Sequence, residues 1–207
     1  MKKRVVIFIS GSGSNMESLI KESRADGFPA EIVAVISDNS NAKGNEKAIN
    51  LNVPLHIIER EKFSNKESFE VSILEMLSQY EPDILCLAGF MRLISKRIIM
   101  PFDGRILNIH PSLLPLFKGL DTHQKALDAG VKLSGCTVHL VTEGMDEGRI
   151  LAQAAVPVLK DDTPQSLAQR VLHAEHILYP AALKAFIEEK QTEQPYAMEH
   201  NIIMSLS

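Results

Sequence analysis

Cysteine and aromatic residues are scarce in this sequence: of 207 residues two are cysteines, 5% are aromatic and none is tryptophan. Cys86 and Cys136 each lie inside an apolar run, which excludes a disulfide framework and the paired cysteines of a structural zinc site. No apolar run reaches the roughly 18 residues of a membrane span, and the stretch after the basic start is too short for a secretory signal. We therefore expect a cytoplasmic protein with no metal and no membrane partner.

An excess of basic residues is also lacking, since 22 lysines and arginines stand against 26 acidic residues for a net charge of −4. Nucleic-acid binding rests largely on neutralising phosphates, so no nucleic-acid partner is expected. A chain of this length buries about 70% of its unfolded surface and needs one domain. We expect that domain over residues 1–190, followed by a mobile tail over residues 191–207, where the composition turns polar. The sequence leaves open whether the protein is a monomer or a dimer.

Short apolar runs rich in β-branched residues alternate with longer segments of helical period. This alternation predicts an α/β fold, with a mostly parallel twisted sheet and helices on both faces. The predicted strands are residues 5–10, 32–37, 54–58, 84–88, 106–110, 136–142 and 150–157. The predicted helices are residues 15–25, 43–51, 66–80, 122–129 and 163–189.

A glycine-rich segment, GSGSN at residues 11–15, follows the first predicted strand. Its glycines allow a tight turn, and the free amides at the start of the next helix can cradle a phosphate. The segment matches neither a Walker loop nor GxGxxG, and a plain turn with a polar cap remains an alternative. Asp38, near the end of the second strand, stands where a dinucleotide-binding fold places an acid. A nucleotide-binding dehydrogenase is therefore also open.

Asn108 and His110 belong to the segment NIHPSLLP at the end of the fifth predicted strand. Two residues apart on a strand, their side chains project from the same face, and Pro111 ends the strand beside them. An amide and an imidazole aimed at one point can stabilise a carbonyl oxygen that becomes an oxyanion. The alternative is a strand end whose polar side chains bond loop carbonyls.

Asp146 follows the strand that carries His139, in an acidic turn with Glu143 and Glu147. A carboxylate close to an imidazole orients the ring and favours its charged form, as an acid catalyst near neutral pH requires. The sequence leaves open which of the three carboxylates reaches a histidine. His173 and His176 do not have the spacing of a zinc site.

Together these segments resemble the phosphoribosylglycinamide formyltransferases, a family of folate-dependent formyltransferases. The resemblance extends over nearly the whole chain, and its fold would be Rossmann-like. The matching segments are GSGSN, AGFMR at residues 88–92, NIHPSLLP, FKG at residues 117–119, Asp146, and EHxxYP at residues 175–180.

The resemblance implies catalytic roles for Asn108, His110 and Asp146. It further implies two small-molecule partners, glycinamide ribonucleotide and the co-substrate 10-formyltetrahydrofolate. The residues implied to bind the ribonucleotide are Gly13, Ser14 and Asn15, at its phosphate, and Glu175. Those implied to bind the folate are Lys66, Met91, Arg92, Leu93, Ile94, Asn108, Val141, Thr142 and Glu143, with Leu87 and Ile106 as further apolar walls.

The implied reaction is formyl transfer from the folate to the amino group of the ribonucleotide in de novo purine biosynthesis. Two departures bear on the folate: Lys66 stands where the family often has an arginine, and the family's DxGP reads DEGR at residues 146–149. The alternatives are a formyltetrahydrofolate hydrolase, the dehydrogenase and a binding module without catalysis.

Overall fold

The computed structural model describes residues 1–189, 197–199 and 202–206. The chain divides into two units, Met1–Leu107 and Asn108–Ser207. The fifth strand runs across the boundary. The expectation of one domain over residues 1–190 stays a prediction.

The first unit contains a parallel sheet. Its strands lie in the order β3-β2-β1-β4, and each neighbouring pair is parallel. The side chains of β4 and the last five of β1 are buried, as expected where helices cover both faces of a sheet. The strands are β1 (Lys3–Ile9), β2 (Ala30–Ser37), β3 (Leu55–Ile57) and β4 (Ile84–Leu87).

Four α-helices accompany this sheet: α1 (Ser14–Ser23), α2 (Lys43–Asn50), α3 (Lys66–Tyr80) and α4 (Lys96–Ile99). Helix α3 has the predicted bounds because Asn65 caps its first turn by accepting from the Ser68 amide. Its buried stripe includes Phe69, Ile73 and Leu77. Helix α4 was not predicted, since four residues show no helical period. Short 3-10 turns occupy Arg60–Lys62 and Met100–Phe102.

The second unit is built around antiparallel strands, with β6 paired to β7, β7 to β9 and β9 to β8. The predicted α/β fold class is confirmed, although these antiparallel pairs were not foreseen. The elements are β5 (Ile106–His110), α5 (Thr122–Asp128), β6 (Leu133–Leu140), β7 (Ile150–Pro157), α6 (Pro164–Glu188), β8 (Ala197–Glu199) and β9 (Ile202–Leu206).

Several element boundaries shift by one to three residues from the prediction, and two differences bear on the predicted site and on the predicted tail. Strand β6 ends at Leu140, so Thr142 lies in the following loop instead of in the strand. The predicted mobile tail contains β8 and β9, and its other residues lie outside the described part of the chain. In the part of the chain that the structure describes, no helix is both long and apolar enough to cross a membrane.

Candidate active site

Four polar side chains of the second unit meet at the end of β5. Asn108 and His110 project from that strand, and Asp146 approaches from the loop after β6. The His110 Nδ1 lies 3.5 Å from Asp146 Oδ2, and the His139 Nε2 lies 3.7 Å from Asp146 Oδ1. Asn108 Nδ2 lies 3.1 Å from His139 Nε2. The three residues with implied catalytic roles therefore form one cluster, and His139 joins them.

The hydrogen bonds of His139 fix its tautomer. Its Nδ1 lies 3.0 Å from the Leu140 carbonyl, which only accepts, so Nδ1 carries the proton. In the neutral ring Nε2 is then bare and accepts from the Asn108 amide. Burial lowers the pKa of His139, and the neighbouring His110 lowers it further, against the opposing effects of the Leu140 carbonyl and Asp146. A neutral His139 thus holds the amide of Asn108 in place.

His110 is 6% exposed and faces an acceptor on each side of its ring. Its Nε2 lies 3.1 Å from the Phe117 carbonyl, and its Nδ1 faces Asp146. This arrangement suits an imidazolium, in which both nitrogens donate. His123 also belongs to this surrounding, because burial and then the charge of His110 lower the pKa of His123.

The backbone holds Asp146 in an unusual conformation, with φ at 51°. The Gly119 amide donates to Asp146 Oδ2 at 2.9 Å, and Lys118 pairs with Glu147 at 3.1 Å. A side chain at Gly148 would place Cβ 1.7 Å from the Leu140 carbonyl oxygen. Gly148 of DEGR is therefore required, because the Leu140 carbonyl that fixes the tautomer of His139 leaves no room for a side chain there. This requirement holds whatever residue follows the glycine.

The glycine-rich segment lies in the first unit and leads into α1. Gly13 is the residue before the helix, with φ at 65° and no side-chain cap. A Cβ at Gly13 would lie 2.6 Å from the Gly44 Cα, so close backbone packing against α2 also demands glycine. Ser14 and Asn15 occupy the first turn of α1, and the start of a helix is where backbone amides can bind an anion. The geometry fits a phosphate cradle, and the packing explains part of the glycine content by itself.

Residues 91–95 of the first unit form a loop tied to three neighbours. The Ser10 hydroxyl accepts from the Met91 amide at 2.9 Å, and Arg92 Nε donates to Asp38 Oδ2 at 2.6 Å. The loop ends where Glu70 accepts from the Ser95 amide at 3.0 Å. Asp38 is therefore engaged by an arginine, which weighs against its predicted dinucleotide role.

Lys66 and Glu175, two of the implied binding residues, each lie close to a buried side chain. The half-exposed side chain of Lys66 places its Nζ 3.8 Å from Glu70 Oε1. Glu175 is buried on α6, and its charge adds to the effect of burial in raising the pKa of the Cys136 thiol. That thiol is consequently no nucleophile at neutral pH.

The remaining implied folate contacts differ in exposure. Leu93 is 66% exposed, whereas Leu87 and Ile106 are buried in the first unit. In the second unit Val141 is half-buried, and Thr142 and Glu143 are exposed on the loop that leads to Asp146. Among the described residues no group of three or more His, Cys, Asp or Glu side chains is arranged to hold a metal ion.

Sequence reasoning gave no role to His139, Phe117 or Gly119. The position of His139, directly before the loop of Asp146, was a usable signal. The role of the Phe117 carbonyl had no signal in the sequence. Its direction depends on a φ of 53° at Phe117, which is unusual for a residue other than glycine. The Gly119 amide depends on the meeting of two loops distant in sequence.

Comparisons with known proteins show the family to which the chain is similar. A family model described as formyl transferase matches residues 3–183. The phosphoribosylglycinamide formyltransferase of Bacillus subtilis (strain 168) is 39% identical over 185 residues, which are 89% of this chain and 95% of that protein. The crystal structure of phosphoribosylglycinamide formyltransferase from Brucella melitensis is 60% identical, with a TM-score of 0.88, over 94% of this chain and 100% of that chain.

A longer relative is also similar. The trifunctional purine biosynthetic protein adenosine-3 of Bos taurus is 45% identical over 183 residues, which are 88% of this chain and 18% of that protein. The chain thus spans less than a fifth of the length of the first curated relatives that it matches.

Proposed function

The chain belongs to the formyl transferase family, and from this membership we propose that it transfers the formyl group of 10-formyltetrahydrofolate to the amino group of glycinamide ribonucleotide in de novo purine biosynthesis. The observation that carries the proposal is the cluster at the end of β5, where Asp146 faces both His110 and His139 and the latter holds Asn108. A carboxylate, an imidazole and an amide around one point suit acyl transfer.

In the proposed reaction the neutral amine of the ribonucleotide attacks the formyl carbon. A bond forms between that nitrogen and the carbon, and the formyl oxygen becomes an oxyanion. His110 Nε2–H and the free N–H of Asn108 donate to the oxyanion. The Nε2–H donates to the Phe117 carbonyl in the structure, so the formyl oxygen takes the place of that carbonyl as acceptor.

Collapse of the tetrahedral intermediate breaks the bond between the formyl carbon and the folate nitrogen. The attacking nitrogen loses one proton and the leaving folate nitrogen gains one. Asp146 supports this step by stabilising the charged His110 and by positioning a water that relays the proton. The Gly119 amide keeps the carboxylate in position for this role.

Residues of the first unit are assigned to binding. Gly13, Ser14 and Asn15 take the phosphate of the ribonucleotide, because their amides begin α1. The main chain of residues 91–94 takes the pterin of the folate, and Lys66 takes its carboxylate tail as a single charge. In the second unit Glu175 takes the ribonucleotide, and Val141, Thr142 and Glu143 take the folate.

Two alternatives predict different chemistry. A hydrolase would use water in place of the amine and release formate without the ribonucleotide. A dehydrogenase would use Asp38 for a ribose hydroxyl, but Asp38 is 5% exposed and its carboxylate pairs with Arg92. The transferase is the reading that uses the whole cluster of the second unit.

Spectrophotometric turnover of 10-formyltetrahydrofolate, with and without glycinamide ribonucleotide, tests the proposal. Turnover only with the ribonucleotide is expected. Equal turnover without it would replace the transferase by the hydrolase. No turnover in either condition, combined with binding of a nicotinamide dinucleotide, would replace it by the dehydrogenase.

A further inference from the structure

We propose that Asp38 and Glu70 are positioning residues for the folate, acting through Arg92 and Ser95 to hold residues 92–94 in a fixed conformation. The inference rests on the proposed function, because it concerns the loop assigned to the pterin. Neither acid was among the residues that the family resemblance implied. Both lie in the first unit, far from the loop in sequence.

The anchors at the two ends of the loop are buried carboxylates. Asp38 is 5% exposed and Glu70 is 3% exposed. Arg92 Nε donates to Asp38 at 2.6 Å, and the Ser95 amide donates to Glu70 at 3.0 Å. The Ser95 hydroxyl donates to the second oxygen of Glu70, so this carboxylate binds one residue twice. Hydrogen bonds to charged groups are about twice as strong as neutral ones, and two of them restrict a residue in direction as well as distance.

The loop between the anchors has unused main-chain groups. The Met91 amide is consumed by Ser10. In the described part of the chain, no protein hydrogen bond involves the main-chain N–H or C=O of Arg92, Leu93 or Ile94. Arg92 and Leu93 are exposed, and Met91 and Arg92 border a cavity of about 470 Å³ that Asp38 also lines.

Free main-chain donors and acceptors bind a planar ring most tightly when their directions are fixed before the ligand arrives. A loop that orders on binding loses affinity, because the ordering cost is subtracted from the contacts. The loop contains no helix or strand between its anchors. The buried carboxylates therefore supply the order that secondary structure would otherwise give.

The chemistry of the anchors separates positioning from direct binding. The Asp38 carboxylate is turned to the arginine and buried, and the Glu70 carboxylate is occupied by Ser95 with Lys66 at 3.8 Å. Both carboxylates would repel the anionic tail of a folate if they contacted it. Their benefit to an anionic ligand thus has to pass through the loop.

Steady-state kinetics of the full chain test this inference with Asp38→Ala, Arg92→Ala and the double variant. We expect the KM for 10-formyltetrahydrofolate to rise about tenfold in each single variant, equivalent to about 1.4 kcal/mol. The double variant should be no worse than either single one, because both remove the same ion pair. The KM for the ribonucleotide and kcat should stay within about twofold of wild type. Asp38→Asn, which keeps an acceptor for Arg92 Nε, should restore most of the folate affinity.

The matched control is Asp83→Asn. Asp83 is also ion-paired and accepts a main-chain amide, that of Arg4, at the start of β1 and β4. The Asp83→Asn variant should be less stable than wild type, with the KM for the folate and the KM for the ribonucleotide both unchanged. An unchanged folate KM in Asp38→Ala and Arg92→Ala would overturn the proposal, as would an equal rise in both KM values.

Failure of the proposed function is recognised separately, in the wild-type chain. If wild type shows no ribonucleotide-dependent turnover, that function fails, and equilibrium binding of 10-formyltetrahydrofolate to wild type and Asp38→Ala decides the positioning role. Weaker binding by the variant supports the role. Equal binding, or none by wild type, overturns it.

Discussion

Asp38 and Glu70 in the first unit are hydrogen-bonded to the groups they hold, whereas Asp146 in the second unit lies farther from the two histidines that it faces. In the first unit Asp38 and Glu70 bind their partners at 2.6 and 3.0 Å. In the second unit Asp146 accepts from the Gly119 amide at 2.9 Å, and it faces His110 and His139 at 3.5 and 3.7 Å. Carboxylates at short distance from fixed donors hold a conformation. A carboxylate at longer distance from two imidazoles retains oxygens for chemistry.

This contrast divides the expected effects of substitution. Changes at the cluster of the second unit should lower kcat, because its groups act on the transition state. Changes in the first unit should raise a KM or lower stability, because its groups bind or hold.

The largest effect is expected for His110→Ala, which removes the imidazole from the cluster. The kcat for formyl transfer should fall about 10² to 10³-fold, the usual cost of one oxyanion donor. Asn108→Ala should fall in the same range, since it removes the second donor. Stopped-flow or steady-state absorbance assays measure the change in kcat, and His56→Ala of the first unit is the control. Wild-type turnover in His110→Ala would contradict the expectation that substitutions in the cluster of the second unit lower kcat.

Asp146→Asn tests the charge of the carboxylate with little change of shape. The amide oxygen still accepts from Gly119, but the negative charge beside His110 is lost, so kcat should fall about 10²-fold. Glu147→Gln removes a neighbouring exposed charge and should leave kcat within about twofold. If the two variants behave alike, the acidic turn acts through its overall charge.

The third effect concerns pH and His139. Because its pKa lies below 6.5, the ring is neutral at pH 7 and gains a proton only in acid. The charged ring cannot accept from Asn108, so kcat should fall as pH drops below 6.5. His139→Gln keeps a hydrogen-bond acceptor that does not titrate. Its kcat should therefore no longer fall at low pH, and kcat at neutral pH should be about tenfold lower than in wild type.

The same shift affects stability. A histidine whose folded pKa is lowered contributes stability that is present above pH 6.5 and lost as pH falls below it. Denaturant unfolding across pH 7 to 5 should show a smaller loss for His139→Gln than for wild type. An identical loss in both would assign the pH dependence to another group.

The sequence predicted the parts of this picture that depend on local pattern. Strand period placed Asn108 and His110 on one face, and helical period gave the bounds of α3 over residues 66–80. The position of Gly13 before a helix also followed from local rules. These features need only neighbouring residues, so no fold had to be known.

What the sequence could not predict depends on distant residues. Arg92 and Asp38 are 54 positions apart, and nothing local marks them as partners. The role of His139 required knowing that its Nδ1 bonds the Leu140 carbonyl. The carbonyl of Phe117 required a positive φ that phenylalanine rarely adopts.

A smaller effect is expected for Gly13→Ala in the first unit. The new Cβ would meet the Gly44 backbone, and the positive φ would be strained. The KM for the ribonucleotide should rise about fivefold, and stability should fall by about 1 to 3 kcal/mol. Gly27→Ala is the matched control, because Gly27 has φ at 75° but open space around its Cβ position. Gly27→Ala should lower stability without changing the KM for the ribonucleotide. An unchanged KM in Gly13→Ala would reduce the loop to a plain turn.

The smallest effect is expected for Glu17→Gln on α1. Lys21 and Lys47 lower the pKa of Glu17 to about 2 from 4.5 through their hydrogen bonds. The pairing therefore adds stability above pH 4.5 that is lost as pH falls toward 2. The variant should be about 0.5 kcal/mol less stable at pH 7, with unchanged kinetics. A difference that persists in acid would point to packing instead of charge.

The free main-chain groups of residues 92–94 have a consequence for inhibitor resistance. A side-chain contact can be removed by almost any substitution, whereas a main-chain N–H disappears only when proline replaces the residue. The exposed Leu93 side chain can therefore drift without loss of the donors that a folate-like inhibitor would use. Substitutions that weaken such an inhibitor should arise instead at the buried acids that hold the loop, and they should raise the KM for the folate as well.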